Sequence, residues 1–436
     1  MKKVLIITYY WPPSGGAGVQ RWLKFVKYLR EFGWEPVVYT PENPEAPAID
    51  HSLEKDIPEG ISIVKTKIRE PYSLYKKVTG QKSEDKIKTG FLSEKKKPSL
   101  AENISVWIRG NLFIPDARKF WIKPSVKFLT KYLKDHPVDA LVSTGPPHSM
   151  HMIAMGVKKK LNLPWLADFR DPWTNIDFYD QLKLTKRADR KHHALEKQVL
   201  TEADVVCVVS PGMTEDFQEK VKREYTIIPN GYDAADLQAG INVPKSEKFT
   251  LSHIGSLTRT RNAGNLWLVL AELVKEDEKF AEDLEIRNVG KMDYHVGEMI
   301  EKAGLKEYLV SVDYMPHEQV IEEQKKASLL LLLINNTPNA KMILTGKLFE
   351  YLVSETPVVC IGPPDGDAAN ILKQTNCGEV FDFSDRANLK SYIVEAYHRF
   401  NAEKLASGCA GVEQYERHKL TEKMADVLER ITVEEK

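Results

Sequence analysis

The sequence has little cysteine, no net charge and no long apolar run, and each shortage excludes something. Its four cysteines, Cys207, Cys360, Cys377 and Cys409, stand far apart with no C-x-x-C spacing. Neither a zinc site nor a disulfide framework is expected from them, and reduced thiols in a cytoplasmic protein are. The 62 Lys and Arg are matched by 62 Asp and Glu, so the molecule as a whole has no attraction to nucleic acid. The longest apolar block, residues 329–334, falls far short of the roughly 20 residues a membrane span needs. Met1-Lys2-Lys3 and the apolar residues after it imitate the start of a signal peptide. That run ends in Trp11-Pro12-Pro13 without a small-residue cleavage site, so no segment is expected to cross a bilayer.

What is present is alternation. Short apolar runs at 4–9, 36–40, 140–143, 165–169 and 205–209 are separated by helical stretches at 20–31, 149–161 and 187–202. A second series follows at 250–254, 284–289, 310–313, 328–334, 357–361 and 379–381. Continuous apolar strands alternating with amphipathic helices predict parallel sheets covered on both faces. With 436 residues and two such series, the fold class expected is α/β with two doubly wound, Rossmann-like domains. The turn residues Asn230-Gly231-Tyr232-Asp233 divide them, giving domains at 1–233 and 234–415. The last stretch, 416–436, is expected to be a helix packing back on the first domain.

Three stretches carry candidate chemistry. The first is "TYYWPPSGGAGVQRW", a glycine loop between the first strand and first helix. It fails as a dinucleotide fingerprint, because Arg21 stands at the third glycine position and no acid ends the next strand. No P-loop sequence is present either. Exposed amides in such a loop suit an anion, and a tight turn without ligand is the other reading. The second is "LADFRDPW", where Asp168, Arg170 and Asp171 gather at the carboxyl end of a strand. That edge is where ligands bind in open parallel sheets, and an Asp–Arg ion pair holding the loop competes with a catalytic role. The third is "GKLFEYLVSETPVV", which puts Gly346, Lys347 and Glu350 at the start of a helix with an apolar face. An anion site at that helix start and a solvated Glu350 are both open.

In order along the chain, Gly15-Gly16-Ala17-Gly18, Pro229-Asn230-Gly231-Tyr232-Asp233, Gly255 to Arg261 and Lys347 to Val358 resemble the four motifs of the retaining, glycogen-synthase-like glycosyltransferases of family 4. The resemblance spans nearly the whole chain outside 65–134. It implies the GT-B fold, two Rossmann-like domains facing an interdomain cleft, and transfer of a sugar from a nucleotide-diphosphate donor with retention. It implies catalytic roles for Arg261 and Lys347 at the diphosphate, with Asp168 and Arg170 in the cleft. Gly255, Arg259, Gly346, Leu348, Glu350, Gly290 and Tyr314 would bind the donor, Glu350 at the ribose hydroxyls. Gly16, Gly18, Gln20, Arg21 and His148 would line the acceptor and phosphate loop. No cofactor beyond the UDP- or GDP-linked co-substrate and no metal are implied, since cations take the charge of the leaving group. The acceptor would be a glycan or a lipid-linked sugar, as in assembly of a surface polysaccharide.

Two departures stand out. The family's first Glu of E-x-x-x-x-x-x-x-E falls on Met342, and its His-Asp pair is Arg170-Asp171 here. A sugar-nucleotide epimerase of the same architecture and a non-catalytic binding protein are the competing functions. A separate feature is the stretch 65–134, with eighteen Lys and Arg against six Asp and Glu. Lys76, Lys77, Lys82, Lys86, Lys88 and Lys95 to Lys97 lie among Tyr72, Tyr75 and Phe91, followed by further aromatic and basic residues to Lys134. An anionic membrane surface at the inner face is one partner for such a stretch, and a solubilising insertion is the plainer reading.

Overall fold

The computed structural model describes residues 1–46, 48–70, 100–240, 243–313 and 315–433, so Tyr314 and the lysines from Lys76 to Lys97 lie outside the described residues. The chain divides into two compact units. The first takes the residues up to Pro229 together with the helix from Arg417, and the second takes Asn230–Glu416.

The first unit is a parallel sheet of β1 (Lys2–Ile7), β2 (Trp34–Pro41), β3 (Ser62–Thr66), β4 (Ala140–Gly145), β5 (Trp165–Phe169), β6 (Val205–Val208) and β7 (Thr226–Ile227). Its order is β3-β2-β1-β4-β5-β6-β7, so the direction of winding reverses between β1 and β4. Val4, Leu5, Ile6 and Ile7 of β1 have no exposed surface, which is the continuous apolar pattern of a strand covered on both faces. The helix Ala17–Tyr28 runs on into a short 3-10 turn, which Gly33 ends with a left-handed φ of 82°. The C-terminal helix Arg417–Val433 joins this unit by burying Leu420, Met424, Leu428 and Ile431 with Trp22, Phe25 and Leu29. Burying such side chains contributes about 1.5–3 kcal/mol each, so this helix is part of the first unit's core.

The second unit repeats the plan with β8 (Phe249–Ile254), β9 (Leu284–Val289), β10 (Leu309–Val312), β11 (Leu329–Leu333), β12 (Val358–Ile361) and β13 (Gly378–Phe381). The order β10-β9-β8-β11-β12-β13 is again all parallel and reverses between β8 and β11. One core face gathers Leu251, Leu331 and Val359 under Trp267 and Leu270, and the other gathers Leu330, Leu332 and Val358 over Leu348, Phe349 and Leu352.

Two sequence expectations need correction. Cys377 and Cys409 form a disulfide, whereas four reduced thiols were expected; Cys207 and Cys360 are free and buried. The bridged pair lies 32 residues apart, a spacing that no local motif signals. The edge strands β3 and β7 were also not anticipated, because each is short and only partly buried, without an apolar run of its own.

Candidate functional site

Each unit gathers its chemistry at the carboxyl edge of its sheet, beside the point where winding reverses. In open parallel sheets that crevice is where ligands sit.

In the first unit the glycine loop follows β1. Gly16 has φ 98°, a value only glycine adopts readily, and it opens the helix without a side-chain cap. Gly15 N–H donates to Ala48 O at 2.8 Å, which ties the loop to the chain after β2. A Cβ on Gly18 would meet Arg170 Nη1 at 2.9 Å, so glycine there allows the guanidinium to approach. Arg170 Nη1 donates to Gly18 O at 2.7 Å, Nε donates to Gly145 O at 3.3 Å, and Nη2 donates to Pro146 O. Arg170 therefore holds the glycine loop against the loop after β4. Gln20 is half-buried on the following helix.

Asp168 and Arg21 meet each other inside the core. Asp168 has no exposed surface and Arg21 keeps 1%. Arg21 Nη2 donates to Asp168 Oδ1 at 2.8 Å, Trp22 Nε1 to Oδ2 at 2.7 Å, and Thr144 Oγ1 to Oδ2 at 2.9 Å. Arg21 also donates to the carbonyls of Ile228 and Pro229 at 2.9 Å. Burial pushes the Asp168 carboxyl up, but the Arg21 charge and these hydrogen bonds outweigh it and hold the group below its ordinary value. The ion pair that the "LADFRDPW" stretch suggested thus forms, with Arg21 rather than Arg170 as the cation.

His148 lies on the same edge, flat against Trp173 with ring centroids 4.5 Å apart and planes 2° from parallel. Its Nδ1 is buried and finds no partner among the described residues. Burial, then the nearby His151, His192 and Arg170, drive its pKa well down, so the ring is neutral near pH 7. Trp173 is held by Glu196, a fully buried carboxylate that the sequence did not single out. Glu196 accepts from Trp173 N at 3.1 Å and Thr174 N at 3.2 Å, and pairs with Lys220 at 3.1 Å. Its only sequence signal is an acid on the inner face of the helix Lys186–Glu202.

In the second unit β8 ends at Gly255, whose φ is 116°. A Cβ there would lie 2.2 Å from Lys347 Nζ and 2.3 Å from its Cε, so the lysine side chain occupies the notch that glycine leaves. Gly290, with φ 118°, would place a Cβ 2.9 Å from the Gly255 carbonyl, so its absent side chain lets β9 support that turn. Among the described residues Lys347 Nζ has no hydrogen-bond or ion-pair partner. Burial lowers its pKa to about 7, helped by the Arg261 charge and opposed by Glu350. Arg261 reaches across the reversal point, donating from Nε to Asn335 Oδ1 at 2.8 Å and from Nη1 to Ser256 O at 3.4 Å. Arg259 on the same turn is exposed.

The helix Gly346–Leu352 positions the rest. A Cβ on Gly346 would meet nothing within 4 Å, and Thr345 before it has a buried hydroxyl with no partner among the described residues. Leu348 has no exposed surface and packs in the core, so only its backbone faces the site. Glu350 accepts from Gln324 Nε2 at 3.0 Å on one oxygen. Met342, where the family has a carboxylate, is buried at 9% exposure. His253 at the end of β8 was not anticipated. It is buried, and after burial itself the Lys347 charge is what most depresses its pKa.

Two doubly wound parallel sheets, each with glycine turns and cations at its strand ends, define an α/β protein of two Rossmann-like units. Residues 106–231 match the family model described as "Glycosyl transferase 4-like domain". No curated protein sequence matches the chain. Among solved structures, Anabaena HepE in complex with UDP and glucose superposes with a TM-score of 0.62 at 13% identity, covering 99% of this chain and 100% of that one. WaaG, a glycosyltransferase involved in lipopolysaccharide biosynthesis, gives a TM-score of 0.56 at 16% identity, covering 98% and 99%. A protein from Listeria monocytogenes, described as a UDP-N-acetylglucosamine 2-epimerase, gives 0.56 at 13% identity, covering 100% and 97%. The chain has the GT-B fold, and within it residues 106–231 are similar to a glycosyl transferase 4-like domain.

Proposed function

We propose that this protein is a metal-independent, retaining hexosyltransferase that moves a sugar from a UDP- or GDP-linked donor to a glycan or lipid-linked acceptor at the cytoplasmic side of a membrane. The observation that carries the reading is Lys347. An ammonium lodged in a glycine notch, beside a second cation and without an anionic hydrogen-bond partner among the described residues, is a charge deficit that a diphosphate fills. In the transfer step the bond between sugar and β-phosphate breaks and negative charge grows on that phosphate. Lys347 and Arg261 stabilise the charge where it develops, which lowers the barrier without a metal. The second oxygen of Glu350 is the acceptor for a ribose hydroxyl, while Gln324 fixes the carboxylate's orientation. On the first unit, the Gly16 to Gly18 loop and the His148 ring receive the acceptor, with Arg170 holding the two loops in register.

A donor panel tests the reading. The purified chain is incubated with UDP- and GDP-sugars, with and without a membrane-lipid extract as acceptor source. Acceptor-dependent release of nucleoside diphosphate is expected for one donor. Conversion of the donor to its sugar epimer without release would mark an epimerase, and no turnover with bound nucleotide would mark a binding protein.

A further inference from the structure

The four sulfurs of the chain fall into two kinds. Cys207 and Cys360 are free thiols with almost no exposed surface. Burial pushes both up to about 12, so neither is a reactive thiolate near pH 7. Cys377 and Cys409 are bridged, and their surroundings differ from each other. Cys377 is buried between the helix Asp367–Thr375 and β13. Cys409 is half-buried on a strap, residues 402–411, that has neither helix nor strand. Its neighbours Gly408, Ala410 and Gly411 are exposed and small, so a dissolved dithiol can approach the Cys409 sulfur. In a cytoplasmic protein, the location proposed above, a disulfide is characteristically transient or redox-sensing.

The bridge touches the candidate site from behind. Two hydrogen bonds flank it on the strap: Ala410 N donates to Thr375 O at 2.8 Å, and Asn376 Nδ2 donates to Gly408 O at 3.2 Å. Beneath the strap, Cys377 Sγ lies 3.7 Å from the carbonyl oxygen of Leu352. Leu352 ends the helix Gly346–Leu352, which carries Lys347 and Glu350. Beyond the strap a short 3-10 turn leads to Tyr415, whose buried ring lies 5.2 Å from that of Phe349 on the same helix. The helix therefore rests its last carbonyl on one half of the disulfide. Its Phe349 ring rests on the chain that follows the other half. Opening the bridge would return to this chain the freedom that closing a loop across 32 residues removes.

We propose that Cys377 and Cys409 form a reversible dithiol–disulfide switch that sets nucleotide affinity through the helix Gly346–Leu352, tight when bridged and weaker when reduced. Its effect on affinity rests on the nucleotide site read above. The reductant is a dithiol. One of its thiolates attacks Cys409 Sγ, the S–S bond breaks, and Cys377 leaves as a thiolate that takes up a proton. The second thiolate attacks the resulting mixed disulfide, which frees Cys409 and leaves the reductant as its own disulfide. Two electrons and two protons pass to the protein. Ser407 Oγ, 2.7 Å from Cys409 Sγ, is placed to donate a hydrogen bond to the Cys409 thiolate as it departs.

The test uses the full chain in three forms: kept under oxidised glutathione, reduced with excess dithiothreitol, and carrying Cys409→Ser. Titration after denaturation should count two thiols in the oxidised form and four in the reduced one. Hydrogen–deuterium exchange in residues 346–353 and 402–416 should quicken on reduction by about five-fold or more. Cys409→Ser should match the reduced form whichever reagent is present. Calorimetry with UDP should show affinity weakened about five-fold or more on reduction. Oxidised glutathione should restore it in wild type and not in the variant. Four thiols in the chain kept under oxidised glutathione, or exchange in 346–353 that reduction leaves unchanged, overturns the proposal. So does equal UDP affinity in the oxidised and reduced forms. Loss of the whole fold on reduction overturns it in favour of a purely structural staple. UDP bound by neither form would sink the nucleotide reading, and exchange in 346–353 would then decide the switch by itself.

Discussion

Replacing Lys347 by Met should make the unliganded protein more stable and its nucleotide binding weaker. Methionine keeps a flexible stem in the Gly255 notch and removes only the cation. Burial, reinforced by Arg261, lowers the lysine from 10.5 to about 7. Because the folded value lies below the unfolded one, the charge opposes folding. That penalty is fully present below pH 7 and fades as pH rises toward 10.5. At pH 7 a shift of this size corresponds to about 4 kcal/mol, an upper bound because local relaxation and water reduce it. Lys347→Met should recover some of this, seen as a higher urea midpoint at pH 7 and a smaller gain at pH 9. A bound diphosphate reverses the balance, since an anion beside the ammonium raises its pKa. Above pH 7 the wild type must then take up a proton as UDP binds, and affinity should fall by up to about tenfold per pH unit. In Lys347→Met that slope disappears, and affinity at pH 7 drops roughly 10- to 100-fold with the loss of one charge-assisted contact. Calorimetry in buffers of different ionisation enthalpy reads proton uptake directly. Wild-type UDP affinity that is flat from about pH 7 to 9, or equal affinity in the variant, would refute the assignment of Lys347 to the diphosphate.

Asp168→Asn should destabilise the first unit by about 3–5 kcal/mol, because it strands the Arg21 cation in a dry site, and denaturant unfolding against wild type measures it. Gly255→Ala should both strain a backbone held at φ 116° and drive Lys347 from its notch. Loss of UDP binding with Gly264→Ala as a tolerated control, its Cβ meeting only Met299 Sδ at 3.6 Å, would confirm the close approach.

By itself the sequence determined the architecture. Apolar runs such as Val4–Ile7 and Leu329–Leu333 need cover on both faces, and only helices returning between parallel strands give it. Gly16 was legible from its loop between a strand and a helix, and Gly255 and Gly290 only through the family resemblance; all three hold angles that only glycine takes freely. Lys347 and Glu350 were legible as a helix start with an apolar face, though not their surroundings. What the tertiary structure decided are the pairings. Arg21 stands 147 residues from Asp168, Gln324 stands 26 from Glu350, and Cys377 stands 32 from Cys409. No local pattern links such partners, because side chains meet wherever strand order and register bring their elements together. The same holds for Lys347 and Gly255: an ordinary helix lysine acquires a pKa near 7 only because the sheet carries a glycine notch to it. Local periodicity follows from covalent geometry and burial, whereas a site's electrostatics follow from which distant groups share a dry space.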